Sequence, residues 1–88
     1  MIRQTSLEAY ERLRYEVNGL GKRQQAVYEL LRKKSPLTDR QISRLLGWPI
    51  NTVTPRRGEL LKKGVIMRWG YLVDSVTNRS ANTWGVLQ

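Results

Sequence analysis

At 88 residues the chain has room for one domain around a single core of modest size, and 40% apolar residues are enough to fold it and argue against general disorder. Sixteen Lys and Arg against seven Asp and Glu give +9, a field that attracts polyanions, either nucleic acid or an anionic membrane surface. With neither histidine nor cysteine the chain lacks the usual general base, thiol nucleophile and soft metal ligands, so neither catalysis nor a metal or cofactor is expected.

Residues 1–20 carry three charges of each sign and are neutral. Ser6 is placed to cap a helix running to about Val17, with Leu7, Tyr10, Leu13 and Val17 on one face at helical spacing. That face is a candidate homodimer contact; its other reading is packing over the core. Asn18-Gly19-Leu20-Gly21 then breaks the helix. "GLGK" at Gly19 to Lys22 has neither the spacing nor the preceding strand of a phosphate loop.

Residues 21–37 hold five basic residues and one acid. A second helix fits Lys22 to Lys34, with Val27, Leu30 and Leu31 as its apolar stripe and Arg32-Lys33-Lys34 at the negative end of its dipole. Ser35-Pro36 stops it. Residues 38–64 are again +4, with six basic residues and two acids. Thr38 and Gln41 form a capping box opening a third helix whose Ile42, Leu45 and Leu46 face inward, and Gly47 ends it where a left-handed residue is wanted. Trp48-Pro49-Ile50 makes a short turn. A fourth helix begins near Asn51, runs to Lys63 and closes at Gly64. Two helices joined by about three residues, the first ended by Gly, carry the signature of a helix-turn-helix.

From Val65 the period changes to two. Val65, Met67 and Trp69 alternate with Ile66 and Arg68, and Tyr71, Val73 and Ser75 continue beyond Gly70. Thr77 to Ala81 reads as a polar hairpin tip, and Asn82, Trp84 and Val86 as the returning strand. Trp69 and Trp84 are expected to face the helices together. This segment, 65–88, adds only +1.

The stretch "LTDRQISRLLGWPINTVTPRRGELLKKGVI", followed by a β-hairpin, resembles the winged helix-turn-helix superfamily. The run "P-I-N-x-V-T-P-R-x-x-E-L-x-x-K-G", here from Pro49 to Gly64, is similar to short stand-alone members found in bacteriophages and prophages. The resemblance covers roughly residues 20–88 and implies an α+β, mostly α, winged helix. A three-helix core (21–64) carries the helix-turn-helix, a C-terminal hairpin wing spans 65–88, and residues 1–20 add an N-terminal helix. It also implies double-stranded DNA as partner, as for a small phage-type transcriptional regulator. Other members of the superfamily bind RNA or serve as protein docking modules, so a non-specific DNA-handling accessory and a protein-interaction domain are the alternatives.

On that reading the helix near 51–63 enters the major groove while the preceding helix braces the backbone. With Val53 set at zero on a helical wheel, Arg57, Leu60, Leu61 and Gly64 share its side. Asn51, Thr52, Thr54 and Arg56 are the candidates for reading bases, and Lys62 near the far end is placed for phosphates or bulk solvent. Two residues keep second readings: Asn51 as the helix N-cap, and Thr54 as the cap of a helix starting at Pro55. Arg57 falls on the buried side, its stem packing while its head reaches either a phosphate or a carboxylate. In the brace, Arg40 and Arg44 are candidate phosphate contacts. In the wing, Asn78 and Arg79 are candidates for the minor groove or the sugar-phosphate backbone. No apolar run approaches the roughly 20 residues that span a bilayer. The opening "MIRQTSLEAYERLR" becomes charged too soon for a secretory signal, so the expected compartment is the cytoplasm, of a bacterium or a phage-infected host.

Overall fold

A computed structural model of the chain describes residues 17–73 and 75–87. Within them the order is α1 (Lys22–Lys34), α2 (Asp39–Leu46), α3 (Ile50–Lys63), β1 (Ile66–Val73) and β2 (Ser80–Val86). Three helices followed by an antiparallel hairpin are the expected mostly helical α+β fold. Val17 and Asn18 are helical; the rest of the expected first helix, with its candidate dimer face, lies outside the described residues.

Each helix starts and stops where local chemistry dictates. The Gln24 side chain accepts from the backbone N–H of Gly21 at 3.1 Å, fixing the start of α1. At the start of α2 the capping box is complete. Gln41 N–H donates to Thr38 Oγ1 at 3.1 Å, and Thr38 N–H donates to Gln41 Oε1 at 2.9 Å. Gly47 (φ 70°) and Gly64 (φ 78°) close α2 and α3 in the left-handed conformation, which costs glycine nothing. The turn between α2 and α3 is held by Ser43, whose hydroxyl donates to the Trp48 carbonyl and whose own carbonyl accepts from Trp48 N–H at 3.0 Å.

The core lies between the three helices and the base of the hairpin. Val27, Leu31, Ile42, Val53, Leu60, Val65 and Ile66 are essentially sealed from solvent, and Tyr28, Leu37 and Trp84 complete the cluster. Burial pushes the Tyr28 phenol above its ordinary range, against the pull of Arg32, so it remains neutral. Leu45, expected inward, is half exposed instead. An eight-residue helix covered mainly on one side buries a narrow stripe, and Ile42 with Leu46 fills it.

The hairpin corrects the expected phase of its first strand. Ile66 pairs with Val86, Arg68 with Trp84 and Gly70 with Thr83, so Trp69 is an extra residue in a β-bulge. Ile66 is buried while Met67 is 44% exposed, the reverse of the expected alternation. Trp69 and Trp84 therefore do not face the helices together. Trp84 points into the core, whereas the Trp69 ring lies over Gly85 on the opposite face: a Cβ on Gly85 would fall 2.2 Å from it. Trp69 Nε1 donates to the Val86 carbonyl at 3.3 Å. A single residue, Leu37, extends the sheet beyond β2 through two backbone hydrogen bonds with Trp84, at 3.0 and 2.8 Å. That bridge seats the N-terminus of α2 beside the outer half of β2.

Candidate nucleic-acid interface

Helix α3 begins one residue earlier than expected and runs without interruption through Pro55. Pro49 is its N-cap, so neither Asn51 nor Thr54 caps it. Pro55 has no N–H to give the Asn51 carbonyl, so that hydrogen bond of the ladder is missing. Asn51 itself is exposed in the first turn, and Thr52 beside it is half-buried.

Two ties fix the orientation of α3. On one flank, Glu59 accepts from Gln24 Nε2 of α1 at 2.8 Å and pairs with Arg56 at 3.2 Å. On the other flank, Asp39 in the first turn of α2 receives three hydrogen bonds from α3. Arg57 Nε and Nη2 reach its two oxygens at 2.9 and 2.8 Å, and the Thr54 hydroxyl reaches it at 3.1 Å. The Arg57 guanidinium also lies 4.2 Å from the centre of the Trp84 ring. One side chain thus joins the second helix of the pair to the first and to the returning strand of the wing. The fork geometry suits bidentate carboxylate recognition, and the flat cation suits the aromatic face.

Between these flanks α3 presents Asn51, Thr54, Pro55, Gly58 and Lys62 away from the core, at 100–200° from Val53 on a wheel of about 100° per residue. A Cβ added to Gly58 would meet nothing within 4 Å, so no packing in the chain requires glycine there. Arg40 and Arg44 are exposed on α2. Arg40 also lines a cleft of about 300 Å³ between the N-terminal turns of α2 and α3 and strand β2, with Ile50, Thr54 and Asn82 among its walls. At the hairpin end, Ser75–Thr77 form the turn, Asn78 adopts a left-handed conformation (φ 58°) and Arg79 is exposed next to it. Asn is among the residues that tolerate this region best.

The sequence-predicted cations therefore fall into two groups. Arg40, Arg44, Lys62 and Arg79 have exposed side chains, on α2, α3 and the wing, with Arg40 also lining the cleft against β2. Arg56 and Arg57 engage carboxylates, Arg56 partly exposed at 34% and Arg57 enclosed at 16%. Of the two partners left open for Arg57, the structure supplies the carboxylate. Asp39, which completes that tie, was not singled out from sequence, where its only signal was an acidic residue in a helix's first turn, and Trp84 was expected only to face the helices. Among the described residues no cluster of His, Cys, Asp or Glu could hold a metal ion, and no helix is long and apolar enough to cross a membrane.

Residues 20–67, more than half of the chain, match the winged helix-turn-helix DNA-binding family. The chain belongs to that family. No curated protein matches it. The matched residues of this winged helix-turn-helix protein include all three helices and stop at the start of β1, so the hairpin is an independent structural observation: a wing follows the helix-turn-helix in space as well as in sequence. The second helix of the helix-turn-helix pair is α3.

Proposed function

We propose that this chain binds double-stranded DNA sequence-specifically, as a small transcriptional regulator of the phage type, with α3 in the major groove and the wing along the backbone or minor groove. The observation that carries the reading is the outward face of α3. It is uncluttered, it carries Asn51, Thr54 and Lys62, and it is flanked by Arg40 and Arg44 from the preceding helix. Asn51 can take adenine bidentately. Arg56, whose partly exposed ion pair with Glu59 is worth at most about 1 kcal/mol, can leave it for a guanine. Thr52 and Thr54 flank these readers. Arg40, Arg44 and Lys62 supply phosphate contacts, and Arg79, presented by Asn78, supplies one from the wing. Arg57 is assigned a different part: it sets the angle at which α3 is offered and spends its charge inside the protein. The same account gives the protein no catalytic role and places it in the cytoplasm.

The reading is tested by fluorescence anisotropy of the protein on a labelled random duplex of about 25 base pairs across a salt series. Cations on α2, α3 and the wing predict that log affinity falls steeply with log salt, at about 0.9 per neutralised phosphate. Absence of binding at about 50 mM salt would remove DNA as the partner and favour a protein-docking module.

A further inference from the structure

On the flank of α3 that meets α1, one carboxylate is held from two sides. Glu59 Oε1 accepts from Gln24 Nε2 at 2.8 Å, and Glu59 Oε2 pairs with Arg56 Nη2 at 3.2 Å. Gln24 uses both ends of its amide, because its Oε1 accepts from the Gly21 N–H that starts α1. The bond from Gln24 joins α1 to α3. The pair with Arg56 does not, since Arg56 and Glu59 lie three residues apart on the same helix. That pair needs another account. Lys22 and Arg23, exposed and next to Gln24 in the chain, bring two further cations to this end of α1, so phosphates are drawn toward Arg56 whatever the base sequence.

We propose that Glu59 is a positioning residue for sequence discrimination: it withholds Arg56 from the sugar-phosphate backbone, so that the arginine adds to affinity only where a guanine offers its paired O6 and N7 acceptors. The proposal rests on the reading of α3 as the major-groove helix. Magnitudes decide it. Arg56 is 34% exposed and Glu59 40%. Leaving Glu59 for a phosphate exchanges one solvated ion pair for another, each worth at most about a factor of five, so an arbitrary sequence gains close to nothing. A bidentate guanine contact is worth roughly five- to 150-fold and exceeds that cost. Glu59 thereby acts against the wrong sequences more than for the right one. The neighbouring Arg57 has no such freedom, enclosed between Asp39 and the Trp84 ring.

The test is a cycle of four full-length proteins, the parent, Glu59→Gln, Arg56→Ala and the double variant, titrated by fluorescence anisotropy on a labelled random duplex of about 25 base pairs across a salt series. Glutamine keeps an acceptor for Gln24 and removes the charge that holds Arg56, so the far-ultraviolet dichroism of the parent should be retained. Glu59→Gln is expected to bind the random duplex about fivefold more tightly, with a salt slope steeper by about 0.9, because the freed Arg56 neutralises one more phosphate. In the Arg56→Ala background the same substitution is expected to change affinity by less than about twofold and to leave the slope unaltered. Equal tightening in both backgrounds would overturn the proposal, since Glu59 would then act only as a charge that DNA repels. Absence of tightening in either background would overturn it too. Both results leave DNA binding itself in place, whereas a parent chain that does not bind the duplex removes the DNA reading and this proposal together.

Discussion

If Asp39 and Arg57 fix α3 against α2 and the wing, removing either partner should cost stability, and removing both should cost less than the sum. Two hydrogen bonds of 2.9 and 2.8 Å join side chains that are 19% and 16% exposed. Exposed ion pairs contribute about 0–1 kcal/mol, and breaking one partner of a fully buried pair costs about 3–5 kcal/mol. A pair this enclosed lies between, near 2 kcal/mol for Asp39→Ala, which leaves a guanidinium against Trp84 with no anion. For a domain of this size that is a fall of roughly 8–16 °C in thermal midpoint. The assay is a double-mutant cycle of Asp39→Ala and Arg57→Met followed by chemical and thermal unfolding, with an expected coupling of about 1–2 kcal/mol. Additivity within about 0.5 kcal/mol would refute the argument that the two side chains act as one tie. The same variants carry a functional readout. If Arg57 acts inside the protein, Asp39→Ala and Arg57→Met should weaken specific duplex binding by similar factors. A loss confined to Arg57→Met would instead give Arg57 a contact with DNA.

Three further outcomes follow from the geometry. Gly85→Ala puts a methyl group within 2.2–2.6 Å of the Trp69 ring, so the ring must swing into water; a red-shifted tryptophan emission and a loss of about 1–2 kcal/mol are expected, and unchanged emission would show that the ring does not lie there. Gly58→Ala meets nothing within 4 Å, so stability should rise by about 0.5–1 kcal/mol in thermal unfolding while duplex affinity falls if DNA approaches closely there; a drop in stability would contradict the open placement. Arg56→Ala should reduce discrimination between specific and random duplex by about 1–3 kcal/mol, whereas Lys62→Ala should lower affinity on every sequence and reduce the salt slope by about one. Equal losses on specific and random duplex for Arg56→Ala would remove it from base reading.

The parts of the fold legible in the sequence were those set by local chemistry. Thr38 with Gln41 and the glycines at 47 and 64 mark helix ends because capping groups and left-handed residues act within a few positions of themselves. The helical stripes of α1 and α3 and the change of period at Val65 were equally plain. The hairpin's phase was not: Ile66 rather than Met67 turns inward from the start of β1, and the bulge at Trp69 then shifts the pairing by one residue, which nothing in the alternation announces. The Leu37 bridge is a single residue and has no period at all. At the site, the wheel put Arg57 inward but could not name its partner, since Asp39 lies 18 positions away and Trp84 on another element. Asn51 and Thr54 kept two readings until Pro49 was seen to take the cap.

The most direct test of the central claim is selection of the full chain on a random duplex DNA pool near physiological salt, followed by sequencing of the retained fraction. The account predicts a short enriched motif whose enrichment is lost in Asn51→Ala and Arg56→Ala. Retention without any enriched motif would contradict sequence-specific reading by α3.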